Sequence, residues 1–389
     1  MDTPDGSQLQ TFPRRLLAHG QARPTRPAYR EKYLGIWQTW NWLEVNAEVR
    51  AMACGLASIG FKRGMNLAII GDNRPRLYWA MLAAQSLGGV PVPLYQDAPA
   101  ADMAYVLNDA EIAFAMVEDQ EQVDKLLELK SQCPLIANVA YEDERGMRHY
   151  QHAGLVSMAE LAKLGRAFDQ ANPGFFEAQV EAGRGSDPAI ILYTSGTTGK
   201  PKGVCQSHAA LLAAGVGGVG FDHLTDREDI LSYLPMAWVG DCLFSLAQAL
   251  VAGFTVNCPE SGDTVMTDLR EIGPTYYFAP PRVFENMLTT VMIRMEDAGA
   301  LKRWMFHHFL AVARRHGEKI LNGEPVPLWE MINRMLACAD LPPIEKSISP
   351  RAAYGTGAAL EFLYRLTGRS SEPPMTRFVA RQLATAHWY

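Results

Sequence analysis

Apolar positions recur at two spacings along this chain, and the spacings alternate in a regular order. In EVNAEVRAMACGLASIGF, residues 44–61, Val45, Val49, Met52, Leu56 and Ile59 return at helical intervals. After a turn at Gly64 comes NLAII (66–70), a short unbroken apolar run that stops at Gly-Asp-Asn and predicts a strand. Pro75 suits the first turn of a following helix, which ends near Gly88 and Gly89. The order then repeats: VPVPLY (90–95), a helix near 102–109, the strand IAFAMV (112–117), a helix over 120–130 and the strand LIANVA (135–140). Strand–helix–strand units in series predict a mostly parallel sheet with helices on both faces.

Between Tyr141 and Pro188 the periodicity loosens, and ANPGFF and GRGSDP read as turn-rich connectors. A second α/β stretch follows. It comprises a strand AIILY (189–193), a helix from about Ala209, a strand near ILSYLP (230–235), a helix CLFSLAQALVAG (242–253) and a strand FTVNC (254–258). Residues 286–321 read as long helix broken at Gly299. The expected division is 1–185 for an N-terminal α/β subdomain, 186–360 for a second one, and 361–389 for an atypical tail. The expected fold class is α/β, with stacked, doubly wound, mostly parallel sheets and flanking helices.

Composition narrows the class. Of 389 residues, 48% are hydrophobic and 20% charged, which suits large buried cores rather than disorder. The formal charge is −6 without a long basic run, so nucleic acid is not an expected partner. Six scattered cysteines form no Cys-x-x-Cys pair, as reduced cytoplasmic thiols would. Neither a signal-type apolar core at the start nor an apolar run long enough to span a membrane is present in these residues. The expected location is therefore cytoplasmic. The stretch RMEDAGALKRWMFHHFLAVARRHGEKIL has basic and apolar faces; a packed helix with solvated charges is the favoured reading, and a peripheral rest on the inner membrane face is the other.

The candidate chemistry sits in ILYTSGTTGKPKGV, residues 191–204. Small residues let backbone N–H groups converge on an anion, hydroxyls add donors, and lysines add charge, so the loop is built as a phosphate cradle. It differs from the Walker A loop. That pattern needs glycine where this chain has Thr194 and Ser or Thr after the lysine, where Pro201 stands. Proline there also disfavours a helix starting at Lys200.

The string Thr194 to Gly203 resembles the Thr-Ser-Gly-Thr-Thr-Gly-x-Pro-Lys-Gly signature of the AMP-forming adenylating superfamily at every position. YLPMAWVGDCLFSLAQAL, GPTYYFAPPRVFENM and YREKYLGIWQTWNWLEV are similar to bacterial long-chain fatty-acyl-CoA synthetases, and RAAYGTGAAL resembles the family's adenine-lining segment. The resemblance covers about residues 10–360 and implies the large N-terminal domain of the adenylating fold. It also implies ATP, a fatty acid and CoA as small-molecule substrates, with Mg²⁺ brought by ATP. The reaction runs through acyl-adenylate and pyrophosphate to acyl-CoA and AMP. An adenylating enzyme for another carboxylic acid and a non-catalytic nucleotide- or acyl-binding remnant stand as alternatives.

By the same resemblance Thr194, Ser195, Gly196, Thr197, Thr198, Gly199, Lys200 and Lys202 hold the β- and γ-phosphates, with Lys200, Lys202 and Thr197 closest to the chemistry. Gly357, Ala358 and Ala359 would let adenine approach the backbone. Trp238, Tyr276, Tyr277 and Phe278 would wall an acyl tunnel, or else form core aromatics. His208 is weighed as a ligand or as a partner of Ser207 at a helix start. The histidines and acids show no metal-ligand spacing.

Beyond Leu360 the resemblance stops. The family's Tyr-Gly-x-Thr-Glu and Thr-Gly-Asp motifs and its C-terminal domain with a catalytic lysine have no match in EFLYRLTGRSSEPPMTRFVARQLATAHWY. The expectation is a frameshifted or truncated gene, a disordered tail, poor solubility and negligible ligase activity for the isolated chain.

Overall fold

The computed structural model describes residues 10–194, 200–321 and, in short pieces, 354–356, 358–359 and 362. It divides into two compact units, 1–278 and 279–389. The first unit opens with α1 (Phe12–Ala22), the hairpin β1 (Pro27–Tyr33) and β2 (Ile36–Asn41), and α2 (Trp42–Ser58). Then come β3 (Asn66–Ile70), α3 (Pro75–Ser86), β4 (Val90–Leu94), α4 (Ala100–Asp109), β5 (Phe114–Val117) and α5 (Gln120–Glu128). They are followed by β6 (Asn138–Tyr141), β7 (Leu155–Ser157), α6 (Met158–Ala171) and α7 (Phe175–Ala182). The hairpin β8 (Pro188–Thr194) and β9 (Lys202–Ser207) precedes α8 (His208–Phe221) and β10 (Asp229–Leu231). After α9 (Val239–Asp241), a π-helical stretch Cys242–Ala247 and α10 (Gln248–Ala252), the unit closes with β11 (Thr255–Cys258) and α11 (Val265–Ile272). The second unit contains α12 (Pro281–Glu296) and α13 (Ala300–Leu321), whose Arg303 and His307 both approach Glu296.

One sheet runs β4-β3-β5-β6-β7 and is parallel throughout. A second runs β10-β11-β1-β2, with only the β1–β2 pair antiparallel. Alternation along β3 shows why NLAII is apolar without a break. Leu67 and Ile69 join the core shared with α3, β1 and β11, while Ala68 and Ile70 join a second core with α4 and α5. All residues of α3 except Arg76 are buried, including Tyr78 and Trp79. A helix apolar on every side belongs in an interior layer, and α3 packs between core residues of both sheets. Trp79 meets Tyr29 and Trp40 edge-on, with centroids 6.2 and 5.4 Å apart.

The stretch 141–188, where the periodicity loosens, contains two helices, α6 and α7, and the connectors ANPGFF and GRGSDP fall at the junctions that follow each of them. Ser157 accepts a hydrogen bond from the Glu160 amide at 3.2 Å and caps α6. The buried face of α6 consists of Met158, Leu161, Ala162 and Gly165, at helical spacing and small at its last two positions. That smallness has a use. A Cβ on Gly165 would stand 1.8 Å from the Ala51 carbonyl oxygen, and one on Gly55 would stand 2.3 Å from that of Leu161. The axes of α2 and α6 therefore approach as closely as backbone allows.

Gly165→Ala is expected to lower unfolding free energy by about 2 kcal/mol or more, because overpacking forces the two helices apart. A denaturant midpoint unchanged from the parent would show that the contact tolerates a methyl group.

Candidate active site

The loop flagged by the sequence joins β8 to β9, which pair antiparallel from Pro188–Ser207 to Thr194–Lys202. A strand, rather than a helix, thus resumes after Pro201, consistent with the departure from a Walker A geometry. Ser195, Gly196, Thr197, Thr198 and Gly199 lie outside the described residues, as does Gly357. Thr194, Lys200 and Lys202 are described, and all three are exposed.

The stems of the loop are fixed. Tyr193 donates its hydroxyl to Asp109 Oδ2 at 2.7 Å, tying β8 to the end of α4. Lys200 Nζ lies 5.5 Å from the centre of the Tyr105 ring on the same helix. Thr194 and Pro201 line a mainly apolar cleft of about 220 Å³, walled further by Leu94, Tyr95, Met103 and Ala237. The two ends of the loop therefore border a concavity.

The aromatic candidates gather in an irregular segment before α12, not in a strand. Phe278 stacks on Phe244 at 3.8 Å and 17°, and Tyr277 stacks on Tyr233 at 5.4 Å and 16°. Tyr276 donates to Asp222 Oδ2 at 3.0 Å, and Tyr233 donates to the Phe278 carbonyl at 3.1 Å. The space among Tyr233, Phe244, Tyr276 and Phe278 measures about 10 Å³, room for about one water rather than an alkyl chain. Trp238, 42% exposed, immediately precedes α9.

Behind Trp238 lies a cluster that sequence reasoning missed. Asp241 is buried and its carboxylate accepts the Tyr78 hydroxyl at 2.8 Å, the Asn73 amide at 3.1 Å and the Ser232 hydroxyl at 3.2 Å. Burial pushes its carboxyl up to about 6, against the opposing pull of hydrogen bonds from Tyr78, Ser245, Ser232 and Asn73. These residues come from the turn after β3, from α3, from the position after β10, from α9 and from the π-helical stretch, so the cluster ties the Trp238 turn to the central helix. No local signal could have found it, since Tyr78 and Asp241 stand 163 positions apart.

His208 is packed rather than presented. It is buried, receives the Phe12 amide on Nδ1 at 3.4 Å, and burial lowers its imidazolium to about 4. Ser207 caps α8 by accepting from the Ala210 amide at 3.2 Å. The ligand role weighed for His208 is therefore not supported. Ala358 and Ala359 are helical and belong to the second unit. Among the described residues no group of three or more His, Cys, Asp or Glu side chains fits a metal ion, and no helix is long and apolar enough to cross a membrane.

The comparison with known families settles the class. The profile of AMP-binding enzymes matches residues 16–341. This chain belongs to the AMP-binding enzyme family. Within the family it is 30% identical over 286 residues to the long-chain-fatty-acid–CoA ligase FadD15 of Mycobacterium bovis, covering 72% of this chain and 45% of that protein. It is 26% identical to the long-chain-fatty-acid–CoA ligase ACSBG1 of Rattus norvegicus, covering 69% and 38%. The chain thus spans less than half the length of these relatives. A putative long-chain-fatty-acid CoA ligase from Rhodopseudomonas palustris shares the fold with a TM-score of 0.59 at 18% identity, covering 72% of this chain and 65% of that one. The adenylation domain of a carboxylate reductase from Mycobacterium chelonae does so at 0.62 and 18%, covering 75% and 49%. The chain therefore has the α/β architecture of the adenylating enzymes, with parallel sheets and flanking helices.

Two outcomes follow from the geometry. Tyr193→Phe should lower stability by about 1 kcal/mol through loss of the Asp109 contact, read as a shift in the denaturant midpoint. Asp241 binds its proton more tightly folded than unfolded, so its contribution grows as pH falls through about 6 and levels off near the ordinary carboxylate range. The melting temperature of the parent minus that of Asp241→Asn should therefore increase between about pH 7 and pH 5; a constant difference would show that Asp241 does not titrate there.

Proposed function

We propose that this chain is the nucleotide- and acyl-binding part of an AMP-forming ligase that activates a long-chain fatty acid. The carboxylate oxygen attacks the α-phosphorus of ATP, and the bond to the bridging oxygen of the β-phosphate breaks. Pyrophosphate leaves, and the acyl-adenylate then passes its acyl group to the CoA thiol with release of AMP. The observation that carries the reading is the glycine-threonine-lysine sequence 194–203, whose residues Thr194 and Pro201 line a cleft. The long-chain-fatty-acid–CoA ligases among its relatives support the choice of substrate.

The residues act mainly by placing charge. Two anions have to meet, so the step is limited by how well positive groups and N–H donors meet the charge developing at phosphorus. In this reading the amides and hydroxyls of Thr194 to Gly199, with Thr197 foremost, cradle the β- and γ-phosphates. Lys200 and Lys202 neutralise them. Residues 357–359 would meet the adenine through their small side chains. Trp238, Tyr276, Tyr277 and Phe278 would face the alkyl chain, whose burial contributes about 0.8 kcal/mol per CH₂. Since the space between Phe244 and Phe278 is closed, one ring must swing aside to admit it. In this reading Mg²⁺ is brought with ATP.

The second reading is a nucleotide- and acyl-binding chain without turnover. One experiment separates the two. Calorimetric titration with ATP should show binding that weakens about tenfold in Lys200→Ala and in Lys202→Ala, a loss of about 1.4 kcal/mol. Palmitate-dependent exchange of labelled pyrophosphate into ATP then decides between turnover and binding alone. Absence of ATP binding, or binding indifferent to both lysines, would sink the nucleotide reading.

A further inference from the structure

From Ala209 to Phe221 helix α8 carries no polar side chain at all. A helix apolar on every side belongs in an interior, and α8 is only half interior. Leu211, Leu212 and Gly215 bury its inner face against the core and the π-helical stretch. Its outer face stands exposed, with Val216 at 51% and Phe221 at 84%. None of the described residues covers that face.

The glycines of α8 divide between the two faces. A Cβ on Gly215 would stand 3.3 Å from the Ala247 backbone, and one on Gly218 would stand 2.3 Å from Gln248 Nε2, so neighbours within the chain require both. A Cβ on Gly217 or Gly220 would meet nothing within 4 Å. Both positions are helical, where glycine is weaker than alanine, and no contact inside the chain accounts for them. Outward glycines of this kind suit the close approach of another backbone.

The outer face is also complementary to itself. In an antiparallel pair related by a two-fold axis at Gly215, residues equally distant in number from Gly215 lie level with one another. Ala213 of one copy then meets Gly217 of the other, Ala210 meets Gly220, and Ala209 meets Phe221. All six are exposed. Small residues face small ones over the central turns, which lets the axes come close, and the two phenylalanine rings cover the ends. The charges agree with this direction. Arg184 is exposed at the N-terminal end, beside the Gly185 carbonyl that accepts the Ala209 amide at 2.8 Å, and exposed Asp222 follows the C-terminal end. Antiparallel packing brings these opposite charges together, along with the opposite ends of the two helix dipoles.

We propose that α8 is the interface of a two-fold dimer of this chain, its outer face packed antiparallel on the same face of a second copy. A bilayer surface does not suit it, because helices that lie on membranes carry lysine and arginine along a polar face, and α8 has neither. One helix pair, about 21 Å long, covers less than the roughly 1,200–2,000 Å² of a stable complex, so association belongs in the micromolar range.

The test needs neither nucleotide nor ligase activity, so its outcome is separate from that of the function proposed above. Sedimentation velocity of the full chain should show monomer passing to dimer as concentration rises through the micromolar range. Ala213→Glu and Gly217→Glu should each weaken the dimer about tenfold or more and melt with the parent, since both side chains enter open space; should one melt early, the other carries the comparison. Cross-linking checks the register in chains whose exposed Cys205 is replaced by serine. An oxidised mixture of Ala213→Cys and Gly217→Cys chains should form more disulfide dimer than either chain alone, because only the mixed pair brings the Cα atoms within bridging distance. A monomer at every concentration, a dimer indifferent to both glutamates, or like cysteines cross-linking as well as the mixed pair would overturn the proposal. So would binding of the parent to anionic phospholipid vesicles that both glutamates abolish.

Discussion

A helix without a polar face organises the first unit. Because α3 is buried almost all round, it has to be covered by apolar side chains from both sheets. Tyr29 and Val256 approach from one side and Leu67, Ile69, Phe114 and Met116 from the other. Tyr78 is the point where polarity is readmitted. Its hydroxyl has to find partners in the interior, and it finds Ser232 and Asp241. The Trp238 turn and the π-helical stretch after it take their positions from that obligation, and Phe244 carries it on to Phe278.

The same burial explains which parts of the fold were legible in the sequence. NLAII announces itself because both faces of β3 are covered, and Pro75 marks the start of α3 because proline lacks only an amide that the first turn does not use. The hairpin β1–β2 escaped notice. Its turn is Leu34-Gly35, with φ of 48° and 76°, and leucine is an unusual occupant of the left-handed region. Helix α6 was passed over although Ser157 and Glu160 supply a start signal and Met158, Leu161, Ala162 and Gly165 recur at helical spacing; what only the fold shows is that Gly165 is where the backbone of α2 comes closest.

The site divides in the same way. The phosphate loop is written in contiguous residues, so its chemistry can be read from ten letters. The Tyr193–Asp109 tie and the Asp241 cluster depend on residues brought together across 84 and 163 positions, and only the folded chain assembles them. His208 illustrates the converse. Beside a glycine-rich loop a histidine suggests a ligand, but packing against Phe12, nearly two hundred positions upstream, makes it part of the core.

The parallel pairing of β1 with β11 has a consequence during synthesis. β1 is complete at Tyr33, yet its neighbour in the sheet begins at Thr255. A ribosome must therefore add more than two hundred further residues before that side of α3 can be closed. Over that interval the aromatic surface of Tyr78 and Trp79 has cover only from elements already emerged, and the nascent chain stays vulnerable to association for the time that translation takes.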